Sequence, residues 1–134
     1  MPTPTNSEAL TDGIRVTASA FFMPDESDPE NRAFRFGYRI TITNEGREAA
    51  TLTSRRWLII DGDGLREEVE GPGVIGQTPR LEAGQGFKYT SYCPLKTPWG
   101  TMEGTYVLER DDGTEIRALI GRFYLVMPRE AAKV

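Results

Sequence analysis

Apolar and polar residues alternate along residues 34–43. Every second position carries a large apolar side chain: Phe34, Phe36, Tyr38, Ile40 and Ile42. Arginine and threonine occupy most of the positions between them. Because successive side chains of a strand point to opposite faces of a sheet, this pattern predicts a half-buried β-strand.

Six further segments alternate in the same way or are rich in β-branched and aromatic residues. We predict strands at residues 14–20, 50–60, 65–70, 87–92, 101–109 and 114–126. Asp-Gly pairs within residues 61–64 and 111–113 predict hairpin turns. About seven strands with frequent turns predict an all-β protein, an antiparallel β-sandwich of the immunoglobulin or fibronectin type III kind.

A length of 134 residues fits one domain with one core. We expect the sandwich to span residues 12–128, and residues 1–11 and 129–134 to form flexible tails. The apolar run at residues 57–60 is far shorter than the roughly 20 residues that span a bilayer. The first residues do not resemble a secretory signal, and the single cysteine, Cys93, excludes an intramolecular disulfide. These features favour a cytoplasmic protein with no membrane partner.

The chain contains no histidine. Histidine is the usual general base and the commonest transition-metal ligand, so its absence argues against most hydrolytic and zinc chemistry. We therefore expect a binding module whose partner is another protein, and not an enzyme. Acidic residues outnumber basic ones by 20 to 16, which argues against a nucleic-acid partner.

Residues 71–76 match the pattern G-x-G-x-x-G. Pro79 prevents the helix that follows this motif in dinucleotide-binding folds, and no βαβ unit surrounds it. Two interpretations stay open. The glycines permit a long loop, or the backbone at Gly71, Gly73 and Gly76 binds a nucleotide or pyrophosphate with help from Arg80.

Four acidic residues, Asp25, Glu26, Asp28 and Glu30, lie close together in the sequence. Clustered carboxylates suit Mg²⁺, and a Co²⁺ ion is the alternative occupant. The spacing does not match a known calcium loop. A solvated acidic loop is the competing interpretation.

Two residues are candidates for an interaction surface. Trp57 resembles the core tryptophan of sandwich folds, so the alternation places Arg55 on its face and exposes Arg56. Trp99 falls in a turn, where it either packs under the loop or forms a contact surface. Edge strands of a sandwich also leave self-association into a homodimer open.

Several segments together resemble the ApaG domain family. They are SDPE (27–30), FGYRITITN (36–44), SRRWLIIDGDG (54–64), EVEGPGVIGQTP (68–79), FKYTS (87–91) and LKTPWGTMEGTY (95–106). The resemblance implies a fibronectin type III-like sandwich. It also implies a phenotypic link to cobalt and magnesium efflux or resistance, and a protein-interaction role like that inferred for related domains in F-box proteins.

Two positions depart from the family pattern. Arg56 stands where the family often has histidine, so any role of that histidine is lost or replaced. Tyr92 stands where the family often has glycine, which adds bulk at the end of a strand. The glycines of residues 71–76, which the family resemblance links to pyrophosphate, are retained.

Overall fold

The computed structural model describes residues 4–128, and within that range the chain forms nine β-strands. They are β1 (Asn6–Thr11), β2 (Ile14–Phe22), β3 (Phe34–Asn44), β4 (Ala50–Asp61), β5 (Arg66–Pro72), β6 (Arg80–Leu81), β7 (Gly86–Leu95), β8 (Trp99–Arg110) and β9 (Glu115–Val126). Two single-turn 3₁₀ helices, Pro24–Glu26 and Pro29–Asn31, join β2 to β3. Neither they nor any other described segment forms a helix suited to crossing a membrane.

The strands pair in two antiparallel sheets. One sheet has the order β1-β2-β3-β7 and the other β5-β4-β8-β9, with β6 paired to β4. The predicted all-β sandwich is confirmed, and each of the seven predicted strands is present. The alternation of β3 decides its burial: Phe36, Ile40 and Ile42 have no accessible surface, whereas Arg39 is exposed.

Aromatic side chains of both sheets meet around Trp57, which is only 3% exposed. Its ring centroid lies 5.4 Å from that of Tyr38 on the opposite sheet. Tyr106 of β8 and Phe123 of β9, both in the same sheet as Trp57, approach edge-on at 6.2 and 6.0 Å. Such edge-to-face contacts add to the apolar area that the core buries, so Trp57 joins the two sheets at their centre.

The prediction of a flexible tail at residues 1–11 is wrong for β1. The strand pairs with β2 along its whole length, and the Ser7 hydroxyl donates to the carbonyl of Gly121 in β9 at 2.7 Å. The amide of Tyr124 also donates to the carbonyl of Pro4 at 2.9 Å. Hydrogen bonds, more than apolar burial, hold this strand, and they leave little trace in the hydropathy pattern. Residues 1–3, and the tail predicted at 129–134, lie outside the described residues.

One end of the sandwich is organised by the side chain of Asn44, which is 2% exposed. Its amide nitrogen donates to the carbonyls of Glu48 and Leu81 at 2.8 and 3.0 Å. Its amide oxygen accepts from the backbone N–H of Gly46 at 3.0 Å. A single buried side chain thus ties the β3–β4 turn to β6.

We expect Asn44→Ala to lower the free energy of unfolding by about 2–3 kcal/mol, because the removed amide leaves buried backbone groups without partners. Urea unfolding measures the change. Asn31→Ala is the matched control, because Asn31 is exposed and bonds the carboxylate of Asp28. We expect the control to change the free energy by no more than about 0.5 kcal/mol. Equal losses in the two variants would contradict this assignment.

Candidate functional site

The opposite end of the sandwich carries Trp99, which is 45% exposed. Its ring stacks on that of Tyr124, with centroids 6.3 Å apart and planes inclined by 15°. We call these two residues the aromatic platform. Of the two interpretations of Trp99, the structure shows the one in which much of the ring reaches solvent.

Two neighbouring turns hold the platform in place. The Thr97 hydroxyl, 4% exposed, donates to the carbonyl of Trp99 at 2.7 Å and accepts from the amide of Gly62 at 2.8 Å. A Cβ atom at Gly62 would lie 2.7 Å from Nε1 of Trp99, so only glycine permits this approach without rearrangement. Thr97 therefore holds the backbone of Trp99, while the indole itself lies against Gly62 and Tyr124.

A shallow groove of about 270 Å³ lies beside the platform. Its lining includes Phe34, Pro98, Arg32 and Lys96, which combine apolar surface with positive charge. Arg32 donates through Nε to the carbonyl of Lys96 and pairs with Asp63, both at 3.2 Å. Arg32 also joins this end to the acidic loop, because it follows directly after Pro29–Asn31.

The four acidic residues predicted as a cation site are exposed and spread over both 3₁₀ turns. Glu26 lies 3.3 Å from Arg35, and Asp28 accepts a hydrogen bond from Asn31 at 2.6 Å. Within residues 4–128 no three acidic or cysteine side chains come together in a way that could hold a metal ion. The structure thus does not assemble Asp25, Glu26, Asp28 and Glu30 into one site.

Residues 71–77, which contain the G-x-G-x-x-G match and are called the glycine loop here, fold as a tight hairpin. The amides of Val74 and Gln77 donate to each other's carbonyls at 2.8 Å, and Gly73 donates to the carbonyl of Thr53 at 2.9 Å. Ile75 and Gly76, at the tip, both have positive φ, as the central residues of a type I′ turn require. Three of the loop amides are thus engaged within the protein.

Arg55, which was not predicted as a site residue, lies against this loop. One terminal guanidinium nitrogen donates to the carbonyls of Pro72 and Gly73, both at 2.9 Å. A Cβ atom at Gly71 would lie 3.0 Å from the guanidinium, so this glycine makes room for the arginine. The alternation of β4 predicts that Arg55 shares a face with Trp57. It does not predict that the carbonyls of Pro72 and Gly73 lie within hydrogen-bond distance of its guanidinium, because that depends on how the loop folds.

Arg80 and Arg56 lie elsewhere and are paired with carboxylates. Arg80 bonds Asp111 at 2.6 Å and also contacts Glu82. Arg56 bonds Glu68 at 2.6 Å on the outer face of the five-stranded sheet. These hydrogen bonds raise the pKa of each guanidinium. Of the predicted site residues, Trp99 and the acidic loop lie at the same end of the sandwich.

Within residues 4–128, four ionisable side chains lie buried in the core. The hydroxyls of Tyr89 and Tyr106 share a hydrogen bond, and burial raises the pKa of both. Burial also raises the pKa of Tyr38, and raises the pKa of the Cys93 thiol to about 12. Because the thiolate is the reactive form, Cys93 is not a nucleophile near neutral pH.

These raised pKa values predict a loss of stability in alkaline solution. A group whose pKa is raised on folding stabilises the protein fully below its unfolded pKa, which is 10.0 for tyrosine and 9.0 for cysteine. We expect the free energy of unfolding to fall as the pH rises above about 9, by up to about 1.4 kcal/mol per pH unit for each buried group. Urea unfolding at successive pH values measures this decline.

The contribution of one buried hydroxyl can be separated with a matched pair of variants. Tyr89→Phe removes a buried ionisable group and should make the alkaline decline shallower. Tyr92→Phe makes the same chemical change at an exposed position and should leave the slope as in the wild type. A wild-type free energy of unfolding that stays constant above about pH 9 would overturn this expectation.

Comparison with known proteins agrees with this architecture. The profile of the ApaG domain matches residues 24–110. A Protein ApaG from Anaeromyxobacter dehalogenans strain 2CP-1 is 52% identical over 122 residues, which cover 91% of this chain and 96% of the relative. A Protein ApaG from Methylobacterium sp. strain 4-46 is 47% identical over 121 residues, which cover 90% and 93%.

A solved structure extends the similarity to three dimensions. The crystal structure of a Bordetella pertussis protein described as ApaA superposes on this one with a TM-score of 0.84 and 40% sequence identity. The superposition covers 96% of this chain and 99% of the other. Both the sequence match and the shared fold extend over most of the molecule, and the chain therefore belongs to the ApaG domain family.

Proposed function

We propose that this ApaG domain is a non-enzymatic, cytoplasmic protein-interaction module whose partner contacts the aromatic platform. The observation that carries the proposal is an exposed tryptophan whose backbone is bonded by Thr97 and whose ring stacks on Tyr124 and lies against Gly62. Tryptophan, tyrosine and arginine are the residues most enriched among the strong contacts of protein interfaces. A side chain already held in one position loses less conformational entropy when a partner binds.

The surroundings of the platform support a protein partner. Pro98 and Phe34 add apolar surface beside Trp99, while Arg32 and Lys96 supply charge at the rim of the groove. A central aromatic contact with a polar rim is the usual organisation of a protein interface. The buried Cys93 and the absence of histidine support a role without covalent or general-base catalysis.

A link to cobalt and magnesium homeostasis belongs to the same proposal. The chain would influence cation efflux by binding a protein of the transport system, and cation binding by its own acidic loop is the competing version. That version requires Asp25, Glu26, Asp28 and Glu30 to move together from their present positions. Isothermal titration with Mg²⁺ and Co²⁺ distinguishes the two versions, because only the second predicts heat from the isolated protein.

The alternative function is nucleotide or pyrophosphate binding at the glycine loop. Arg55, which the fold brings against Gly71 and Gly73, is the observation that favours it. Its guanidinium already bonds two loop carbonyls, and Arg80 is occupied by carboxylates. The alternative requires the amide resonances of Gly73 and Gly76 to shift when pyrophosphate is titrated into the protein, and it fails if they stay in place.

We expect Trp99→Ala to weaken partner binding by roughly 30-fold or more, because a tryptophan at the centre of an interface contributes about 2 kcal/mol or more. The chain is tagged at its native locus, its partner is identified by quantitative mass spectrometry, and the affinity is then measured with both purified proteins. Leu119→Ala is the matched control. Leu119 is a similarly exposed apolar residue, at 54%, and it pairs with Thr105 in the middle of β8, six residues along that strand from Trp99.

A second variant separates the ring from its support. Thr97→Val leaves Trp99 in the chain but removes the hydroxyl that bonds its carbonyl and the amide of Gly62. Binding should weaken by less than in Trp99→Ala, because the ring is still present but less well positioned. The proposal fails if Trp99→Ala binds the partner as tightly as Leu119→Ala, or if the pure protein turns over a substrate.

A further inference from the structure

The outer face of the four-stranded sheet carries two arginines of β3 that lie over aromatic rings. The guanidinium carbon of Arg39 is 4.4 Å from the ring centroid of Phe21 in β2. That of Arg35 is 4.9 Å from the ring centroid of Tyr92 in β7. Both contacts are cation–π interactions, and they extend from β3 toward opposite neighbours.

Gly37 makes the first of these contacts possible. Phe21, Gly37 and Tyr92 lie in one row across β2, β3 and β7. A Cβ atom at Gly37 would lie 2.2 Å from Cζ of Phe21, so the ring rests directly on the backbone of β3. The ring in turn supports Arg39. A guanidinium supported in this way keeps its N–H groups available for a carboxylate.

The two arginines differ in their ionic contacts. Arg35 lies 3.3 Å from the carboxylate of Glu26, which belongs to the first 3₁₀ turn. Arg39 is exposed and has no ion pair within residues 4–128. The ion pair between Arg35 and Glu26 shows that an arginine of this face can bind a carboxylate. Arg39 has no such partner within residues 4–128, so its guanidinium is free to bind one from another molecule.

A groove of about 660 Å³ begins beside Arg39 and crosses the first three strands of the sheet. Small polar side chains line it: Asn6, Thr17, Ser19 and Thr41. Glu8 lies at its other side and is paired with Arg15 at 3.0 Å. Hydroxyl and amide groups both donate and accept hydrogen bonds, as the backbone of an extended peptide requires. We call this surface the Arg39 groove.

We propose that the Arg39 groove binds an extended segment of a partner polypeptide that carries one carboxylate, and that this carboxylate bonds Arg39. Among the described residues, the charged side chains of the groove are one free cation, Arg39, and one carboxylate, Glu8, which is paired with Arg15. They therefore suit a polypeptide segment with one carboxylate and not a nucleic acid with a phosphate at every nucleotide. The groove lies on a sheet face and the aromatic platform at the end of the sandwich, so neither proposal depends on the other.

The test uses a synthetic, terminally capped peptide of threonine and serine with one central aspartate, titrated into the ¹⁵N-labelled protein. We expect saturable shifts of the Thr17, Ser19 and Thr41 amide resonances. Arg39→Gln should weaken binding by about tenfold, because it removes a charge-assisted, bidentate hydrogen bond. Arg39→Lys should restore part of the affinity, because lysine keeps the charge but not the planar guanidinium.

Two further variants test the specific geometry. Phe21→Leu removes the ring beneath Arg39 and should weaken binding by about threefold. Arg117→Gln is the matched control, because Arg117 is an exposed arginine of the other sheet and should leave the affinity unchanged. Each variant is first compared with the wild type by its spectrum away from the groove, so that misfolded protein is recognised.

Any one of four results would overturn the proposal. The first is that the acidic peptide causes no saturable shifts in the groove. The second is that it binds Arg39→Gln as tightly as it binds the wild type. The third is that a peptide with asparagine in place of aspartate binds as well as the acidic one, because the carboxylate would then have no role. The fourth is that a single-stranded oligothymidine binds the groove more tightly than the acidic peptide, because the surface would then be a nucleic-acid site.

Discussion

The contact between the two sheets around Trp57 is the interaction on which the rest of the molecule depends. The indole is almost fully buried and meets Tyr38 across the sandwich, with Tyr106 and Phe123 beside it. A packed interior allows little movement of such large rings. The packing of these rings sets the distance between the two sheets. It therefore also sets the positions of the strands and of the side chains on their outer faces.

The same contact explains the glycine loop. Residues two apart on a strand share a face, so the packing of Trp57 inward carries Arg55 to the inner edge of β4. From there its guanidinium reaches the carbonyls of Pro72 and Gly73, with Gly71 making room for it. A pattern that looks like a phosphate-binding motif therefore has a clear structural use here, in which glycines admit an arginine and form a tight turn.

Two surfaces stand out because their exposed side chains are held by the fold beneath them. Trp99 is positioned by Thr97 and Gly62 at one end, and Arg39 is supported by Phe21 on a sheet face. One surface offers an aromatic ring and the other a cation beside a polar groove. Under the two proposals, these surfaces would contact two parts of one partner, or bring two partners together.

The sequence alone determined the fold class and most of the strands, because alternation of apolar residues is a local property that burial enforces. It also placed Trp57 in the core and argued against histidine-based catalysis. It did not reveal β1, whose Ser7 hydroxyl bonds β9 more than a hundred residues away. Only the tertiary structure decided which residues share a surface. The sequence does not encode locally the distances from Arg55 to the glycine loop, from Thr97 to Gly62, or from Arg39 to Phe21. They result from the way in which the two sheets and their turns pack together.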